Sequence, residues 1–299
     1  MREFMEKKAT LGKLALLATA IIWGSSFVVL KSSLDSMGTL WVLSVRFIVA
    51  ALLLGLAAGK RLWHVSKRCL KGSVMMGLCL AVAYIVQTYG LMYTTPGKNA
   101  FLTAAYCVLT PFLAWAIYKR RPGKMALVAA FLCISGVGLV ALNEGLGQVN
   151  IGDVLTLCCG VFYALQIIML ENYRDSGNAI TISAIQFAAG AVICLAGALI
   201  FEPVPTAISS RAFWELAYLS VMCTAVCFFL QAWGARTVSS SVTAIIMSLE
   251  SVFGVLTSVI FYGEKVIGKM LLGFALIFMA VIVSEVKLPS FSLKKPNKA

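Results

Sequence analysis

Ten apolar runs divide the chain, at about 11–30, 39–58, 72–93, 98–118, 124–142, 152–172, 178–201, 212–233, 238–262 and 267–286. Each is close to the ~20 residues a helix needs to cross a ~30 Å hydrocarbon core. None alternates polar and apolar residues as a strand of an outer-membrane barrel would. The connections are short, with turn signals at Thr95-Pro96-Gly97, Arg121-Pro122-Gly123 and Glu202-Pro203-Val204-Pro205. The pattern predicts an all-α integral membrane protein of ten transmembrane helices, with no soluble domain.

The polar positions repeat. At an offset of 140 residues, Thr103 of the fourth run matches Thr243 of the ninth, Leu109 matches Leu249, and Thr110 matches Glu250. The same offset pairs Gly12 with Gly152, Arg46 with Gln186 and Phe47 with Phe187. At 144, Gln87-Thr-Tyr-Gly90 aligns with Gln231-Ala-Trp-Gly234, and at 145, Gly123-Lys-Met125 aligns with Gly268-Lys-Met270. The chain therefore reads as two five-helix repeats, residues 10–143 and 150–287, followed by a basic tail, 288–299. Five is odd, so the second repeat must cross the membrane in the opposite sense. Inverted repeats of this kind recur in secondary transporters, with substrate bound near the midplane between the halves.

Composition agrees with a membrane protein: 61% hydrophobic residues, 12% charged, and a mean hydropathy of +0.93. The net charge of +13 would point to nucleic acid in a soluble protein. Here the basic residues sit in alternate loops. With the N-terminus in the cytoplasm, nineteen Lys and Arg fall on the inner side and five on the outer, leaving Arg46 within a span. That asymmetry puts both termini inside and leaves no reason to expect nucleic acid as a partner. Eight of the nine cysteines lie in apolar runs and lack the neighbouring ligands of a zinc site, so they read as small packing residues. No metal, cofactor or disulfide framework is expected.

Six runs carry a polar or aromatic stripe near mid-membrane. The first has Trp23 and Ser26, the third Tyr84 and Gln87, the fourth Asn99, Thr103 and Tyr106. The sixth has Tyr163 and Gln166, the eighth Gln231 and Trp233, the ninth Thr243 and Glu250. The fifth and tenth have almost none. The economical arrangement is a central cavity lined by helices 1, 3, 4, 6, 8 and 9, with 5 and 10 at the periphery. A structural reading stands beside this one, since Ser, Thr and Gln in membrane helices often bond a backbone carbonyl or a neighbouring helix. Arg46, Gln186 and Pro111 read as structural or gating residues, Arg46 through a buried pairing. Ala188-Ala-Gly190 and Ala196-Gly-Ala198 leave open either internal packing or a homodimer face.

Glu250 is the sharpest candidate. An ionisable group at the centre of a span costs at least ~2.5 kcal/mol, so it must face protein or a water-filled cavity. It could carry a proton, offer a counter-charge to a cationic or zwitterionic substrate, or bond helix 9 to a neighbour. His64 is alone in a basic loop. The chain has no GxSxG, HExxH or Walker A sequence, so neither an enzyme nor direct drive by ATP is expected.

The set of motifs resembles the drug/metabolite transporter superfamily, in its EamA-type branch of ten-helix exporters. The resemblance rests on Trp23-Gly-Ser-Ser-Phe27, Arg46-Phe47, and the run from Gly90 through Pro96-Gly-Lys-Asn99 to Thr103. In the second half it rests on Leu249-Glu250-Ser-Val-Phe253 and Phe261-Tyr-Gly-Glu-Lys265, leading into Gly273. It implies a bacterial inner-membrane exporter of amino acids or related small metabolites, working by alternating access with a small-molecule substrate. One departure stands out. The family usually has proline after the helix-9 glutamate, where this chain has Ser251, while Pro111 is kept in helix 4. The aromatic, basic-poor stripes favour neutral, zwitterionic or aromatic solutes over polyphosphates. A non-saturating channel is the alternative, as is a carrier of drugs, nucleobases or sugars.

Overall fold

The computed structural model describes residues 2–119, 121–141, 150–234, 237–238 and 240–285. The basic tail 288–299 lies outside them, as do Arg120, Arg236 and Lys287 of the charge count. Among the described residues every regular element is helical. The ten apolar runs become α1 (Arg2–Ser33), α2 (Thr39–Ala58), α3 (Lys67–Tyr93), α4 (Pro96–Ala104 and Tyr106–Tyr118) and α5 (Lys124–Ala141). They continue with α6 (Ile151–Tyr173), α7 (Ala179–Phe201), α8 (Ser210–Ala217, Tyr218–Val226 and Cys227–Gly234), α9 (Ser240–Thr257 and Ser258–Tyr262) and α10 (Gly268–Glu285).

Local chemistry explains most of the boundaries. Ser66, Thr95 and Ser209 each cap a helix start, their hydroxyls accepting from the backbone N–H three residues on. Pro96 then takes the first helical position of α4, so the expected turn at Thr95-Pro96-Gly97 is the helix start itself. α2 ends at Gly59 (φ 55°) and α9 at Gly263 (φ 74°), both in the left-handed region that glycine enters without strain.

The neighbours obey a two-fold relation. α1 packs on α8 and α9, as α6 packs on α3 and α4; α3 also meets α7, as α8 meets α2. α2 pairs with α7, α4 with α9 and α5 with α10, so exchanging each helix with its counterpart five places away leaves the set unchanged. Glycines matched by the repeat occupy matching contacts. A methyl on Gly234 would stand 2.9 Å from the Gly12 carbonyl oxygen, and one on Gly152 would stand 2.6 Å from that of Gly90. Only bare backbones approach this closely, and small residues at such crossings are how membrane helices gain van der Waals contact. Gly136 and Gly273 do the same where α5 meets α10, at the edge of the bundle. Gly190 faces Phe47 and Gly197 faces Leu40, so both small-residue patches of α7 use their glycines inside the fold against α2.

The paired helices α4 and α9 differ in one respect. α4 is interrupted at Ala105, ahead of Pro111, which cannot donate to the carbonyl four residues back. α9 runs unbroken from Ser240 to Thr257. At the position matching Pro111, Ser251 keeps its N–H and turns its hydroxyl back to the Ser248 carbonyl at 2.8 Å.

Candidate functional site

Between the repeats lies a cavity of about 160 Å³. Helices α1, α3, α4, α6, α8 and α9 line it, α2 adds Arg46, and neither α5 nor α10 reaches it. Trp23, Ser26, Tyr84, Gln87, Thr103, Tyr106, Tyr163, Gln166, Gln231 and Glu250 all face it. Three residues grouped with them in the sequence do not. Asn99 is fully buried on the outer side, donating from Nδ2 to Thr156 Oγ1 (2.7 Å) and to the Gln87 carbonyl (3.3 Å). Trp233 is 36% exposed on the outside of the bundle, because α8 turns it away from Gln231 two residues earlier. Thr243 is half-buried and not part of the wall.

The polar wall is pre-bonded. Gln87 donates to Thr103 Oγ1 at 2.9 Å and accepts the Tyr163 hydroxyl at 2.7 Å, so its amide is fixed from both ends. The ring of Tyr163 meets the edges of Tyr84 and Tyr106, with centroids 5.6 and 5.9 Å apart. Gln166 donates to Gln186 Oε1 at 3.1 Å. Trp23 sends its indole N–H to the Cys223 carbonyl at 2.6 Å. That carbonyl is free because α8 widens into a π-helical stretch from Tyr218 to Val226, where the Cys227 N–H bonds Met222 and Thr224 instead. Wide turns of this type are frequent at functional sites.

Arg46 is 2% exposed, and the structure gives it more than a packing role. Its Nε donates to Thr224 Oγ1 at 2.7 Å, and its guanidinium carbon lies 4.7 Å over the ring of Tyr84. It lines the same cavity as Glu250. The repeat counterparts of both are neutral. Thr110 answers Glu250 and returns its hydroxyl to the Tyr106 carbonyl (2.8 Å), while Gln186 answers Arg46 inside an amide pair. A symmetric scaffold thus holds an asymmetric cavity, with one arginine and one carboxyl side chain among the described residues. Phe27, Leu30, Leu80, Ile167, Leu170 and Phe228 complete the wall. Sequence reasoning missed them because an apolar residue in an apolar helix carries no mark of which way it faces.

Leu30, at one end of the wall, is 3% exposed, and Leu170, toward the end that bears the basic loops, is 40% exposed. The other end is tied shut. Lys98 pairs with Asp153 at 3.7 Å, and Thr94 donates to the same carboxylate at 2.5 Å. Lys31 Nζ donates to the carbonyls of Leu91, Met92 and Thr94 where α3 ends. Two carboxylates hold helix starts from a distance in sequence. Glu202 accepts the N–H groups of Leu40 and Trp41 at the start of α2 (3.0 and 3.1 Å). Glu264 accepts from Thr95 Oγ1, Ser258 Oγ and the Gly97 N–H (2.9 Å) at the start of α4. Negative charge at a helix N-terminus is stabilising.

Glu264→Gln should lower stability by about 1–3 kcal/mol, since a buried hydrogen-bond set loses its charge-assisted acceptor. Thermal unfolding in detergent measures this, with exposed Glu171→Gln as the comparison. Equal unfolding temperatures for both variants would show that the Glu264 tie does not hold the outer end.

Two stretches of the chain, residues 10–142 and 150–285, each match the model of the EamA-like transporter family. The chain belongs to that family. An Archaeoglobus fulgidus protein named an uncharacterized transporter is 32% identical over 92% of this chain and 85% of its own length. The Bacillus subtilis uncharacterized transporter YoaV is 20% identical over 91% of this chain and 95% of its own. A solved crystal structure superposes with a TM-score of 0.65 at 15% identity, covering 91% of this chain and 96% of that one, which bears on the fold alone. The protein is a multi-pass membrane transporter of the EamA family, and the family points to transport rather than catalysis.

Proposed function

We propose that the protein exports amino acids or related small zwitterionic metabolites across a bacterial plasma membrane, by alternating access and without ATP. The observation that carries this reading is the presence of Arg46 and Glu250 in one small cavity otherwise walled by aromatic, aliphatic and uncharged polar side chains. A substrate carboxylate suits the guanidinium, a substrate ammonium suits the carboxylate, and Phe27, Leu30 and Phe228 receive an apolar side chain. Size favours the same class. About 160 Å³ is the share of roughly five waters at ~30 Å³ each. That is below the ~300–1,000 Å³ of pockets for drug-sized ligands. Polyphosphates are disfavoured, because Arg46 is the only cation in the wall among the described residues. The ties at the outer end, and the exposure of Leu170 toward the inner one, support loading from the cytoplasm. Export would then need the outer ties to break as inner helix ends close, a bundle motion that inverted repeats permit.

A metabolite profile of the medium tests this, comparing cells that overproduce the protein with cells that do not. Enrichment of a few small zwitterions outside the overproducing cells is expected. An unchanged medium, or enrichment confined to sugars or phosphorylated compounds, would count against the assignment.

A further inference from the structure

A second, larger hollow of about 700 Å³ lies between α3, α4 and α6 at the end that the charge asymmetry places in the cytoplasm. It is separate from the central cavity. In helical steps of 100°, Lys67, Arg68, Lys71 and Met75 share one face of α3, roughly opposite the face carrying Leu80, Tyr84 and Gln87. On α6 the hollow takes Leu165, Ile168, Met169 and Asn172, again opposite Tyr163, Gln166 and Leu170. It therefore opens away from the transport path and onto the lipid side of the bundle.

Its two ends differ in chemistry. At the rim, three exposed cations, Lys67, Arg68 and Lys71, stand together in the first turns of α3, with no carboxylate in the lining among the described residues. Asn172 reaches across to the Tyr118 hydroxyl, joining the end of α6 to the end of α4. Met75 and Met169 lie further along α3 and α6 from the rim, and Ile117, 48% exposed, adds a third apolar side chain to the lining. A soluble anion would use only the rim. A neutral lipid would use only the apolar side chains and leave three cations facing its headgroup unpaired. A molecule with a phosphate at one end and an acyl chain at the other uses both.

We propose that this groove binds one anionic phospholipid of the cytoplasmic leaflet, its phosphate on Lys67, Arg68 and Lys71 and its acyl chain along Met75, Ile117 and Met169. Basic pockets between membrane helices on this side are suited to such headgroups. The lipid would bridge the inner ends of α3, α4 and α6, three of the helices that wall the central cavity.

Native mass spectrometry of the detergent-solubilised protein, titrated with dioleoyl phosphatidylglycerol or the matching phosphatidylcholine, tests the proposal. One phosphatidylglycerol should be retained where phosphatidylcholine is lost. The K67Q/R68Q/K71Q variant should bind it more weakly, on the order of a hundredfold for three cations. K60Q/R61Q/K124Q removes as many inner-side charges outside the groove and should bind as the unaltered protein does. Met169→Glu keeps all three cations but places a carboxylate in the apolar lining, and should weaken binding as well. Equal retention of the two lipids, equal loss in the two triple variants, or full competition by inorganic phosphate would each overturn the assignment.

Discussion

Replacing Glu250 with glutamine is expected to lower transport by roughly 30-fold or more while leaving the amount of protein in the membrane unchanged. The geometry gives the reason. Among the described residues Glu250 is the only carboxylate in the cavity wall, and it shares that wall with Arg46, which contacts Thr224 and both the ring and the hydroxyl of Tyr84. Where a desolvated charge meets an oppositely charged substrate group, removing it costs about 2–5 kcal/mol, and each 1.4 kcal/mol is tenfold. Glutamine keeps the shape and the acceptor oxygen but neither the charge nor the ability to carry a proton. Efflux of the identified substrate from preloaded vesicles, at matched protein content, measures the effect. Glu250→Asp, which keeps the charge one methylene further back, should recover part of the rate. Full activity in Glu250→Gln would reduce the residue to a structural hydrogen bond on α9.

The second large effect belongs to Gly24, one residue beyond Trp23. A methyl there would lie 2.5 Å from Phe253 Cβ, 2.8 Å from the Gly254 nitrogen and 2.9 Å from the Glu250 carbonyl oxygen. Two of those three atoms are backbone and cannot swing aside, so α1 and α9 must separate. Gly24→Ala should therefore cost about 1–3 kcal/mol of stability, as overpacking does. It should also reduce transport, because the contact sets Trp23 and Glu250 at their working distance. Gly138 offers the same chemical change in open space, with nothing within 4 Å of an added methyl. Gly138→Ala should be neutral or stabilising by up to ~1 kcal/mol, from helix propensity alone. Thermal unfolding of the two proteins in detergent makes the comparison. Similar unfolding temperatures would mean that the α1–α9 crossing tolerates a wider spacing.

Much of the site could be read from the chain because its chemistry is expensive to place in a membrane. A carboxylate, an arginine and four glutamines within apolar runs have few places to go, and Glu250, Gln87, Gln166 and Gln231 do line the cavity. Arg46 was harder. Its neutral counterpart Gln186 favoured a structural reading, and what brings it to the cavity is Thr224, on a widened turn of α8 with no local sequence mark. Trp233 shows the opposite failure, since it stands at the very end of α8, where an aromatic residue is at home at the membrane interface without facing a cavity. The ties of Glu202 and Glu264 to distant helix starts were also invisible, because each joins loops more than 150 residues apart.

Hydrophobic length and loop charge determined, from the sequence alone, ten helices, two repeats and the side on which the basic loops lie. Each of these is set within a helix or by its immediate flanks, where backbone bonds close locally and the bilayer fixes the span. Tertiary structure alone decided which apolar residues turn inward, how Arg46 and Glu250 sit on a symmetric frame, and how the outer helix ends are tied. Those depend on close backbone crossings, such as Gly24 on α9 and Gly90 on Gly152, where the absence of a side chain sets the distance between helices. In lipid no difference in polarity orients an apolar face, so packing has to make that choice.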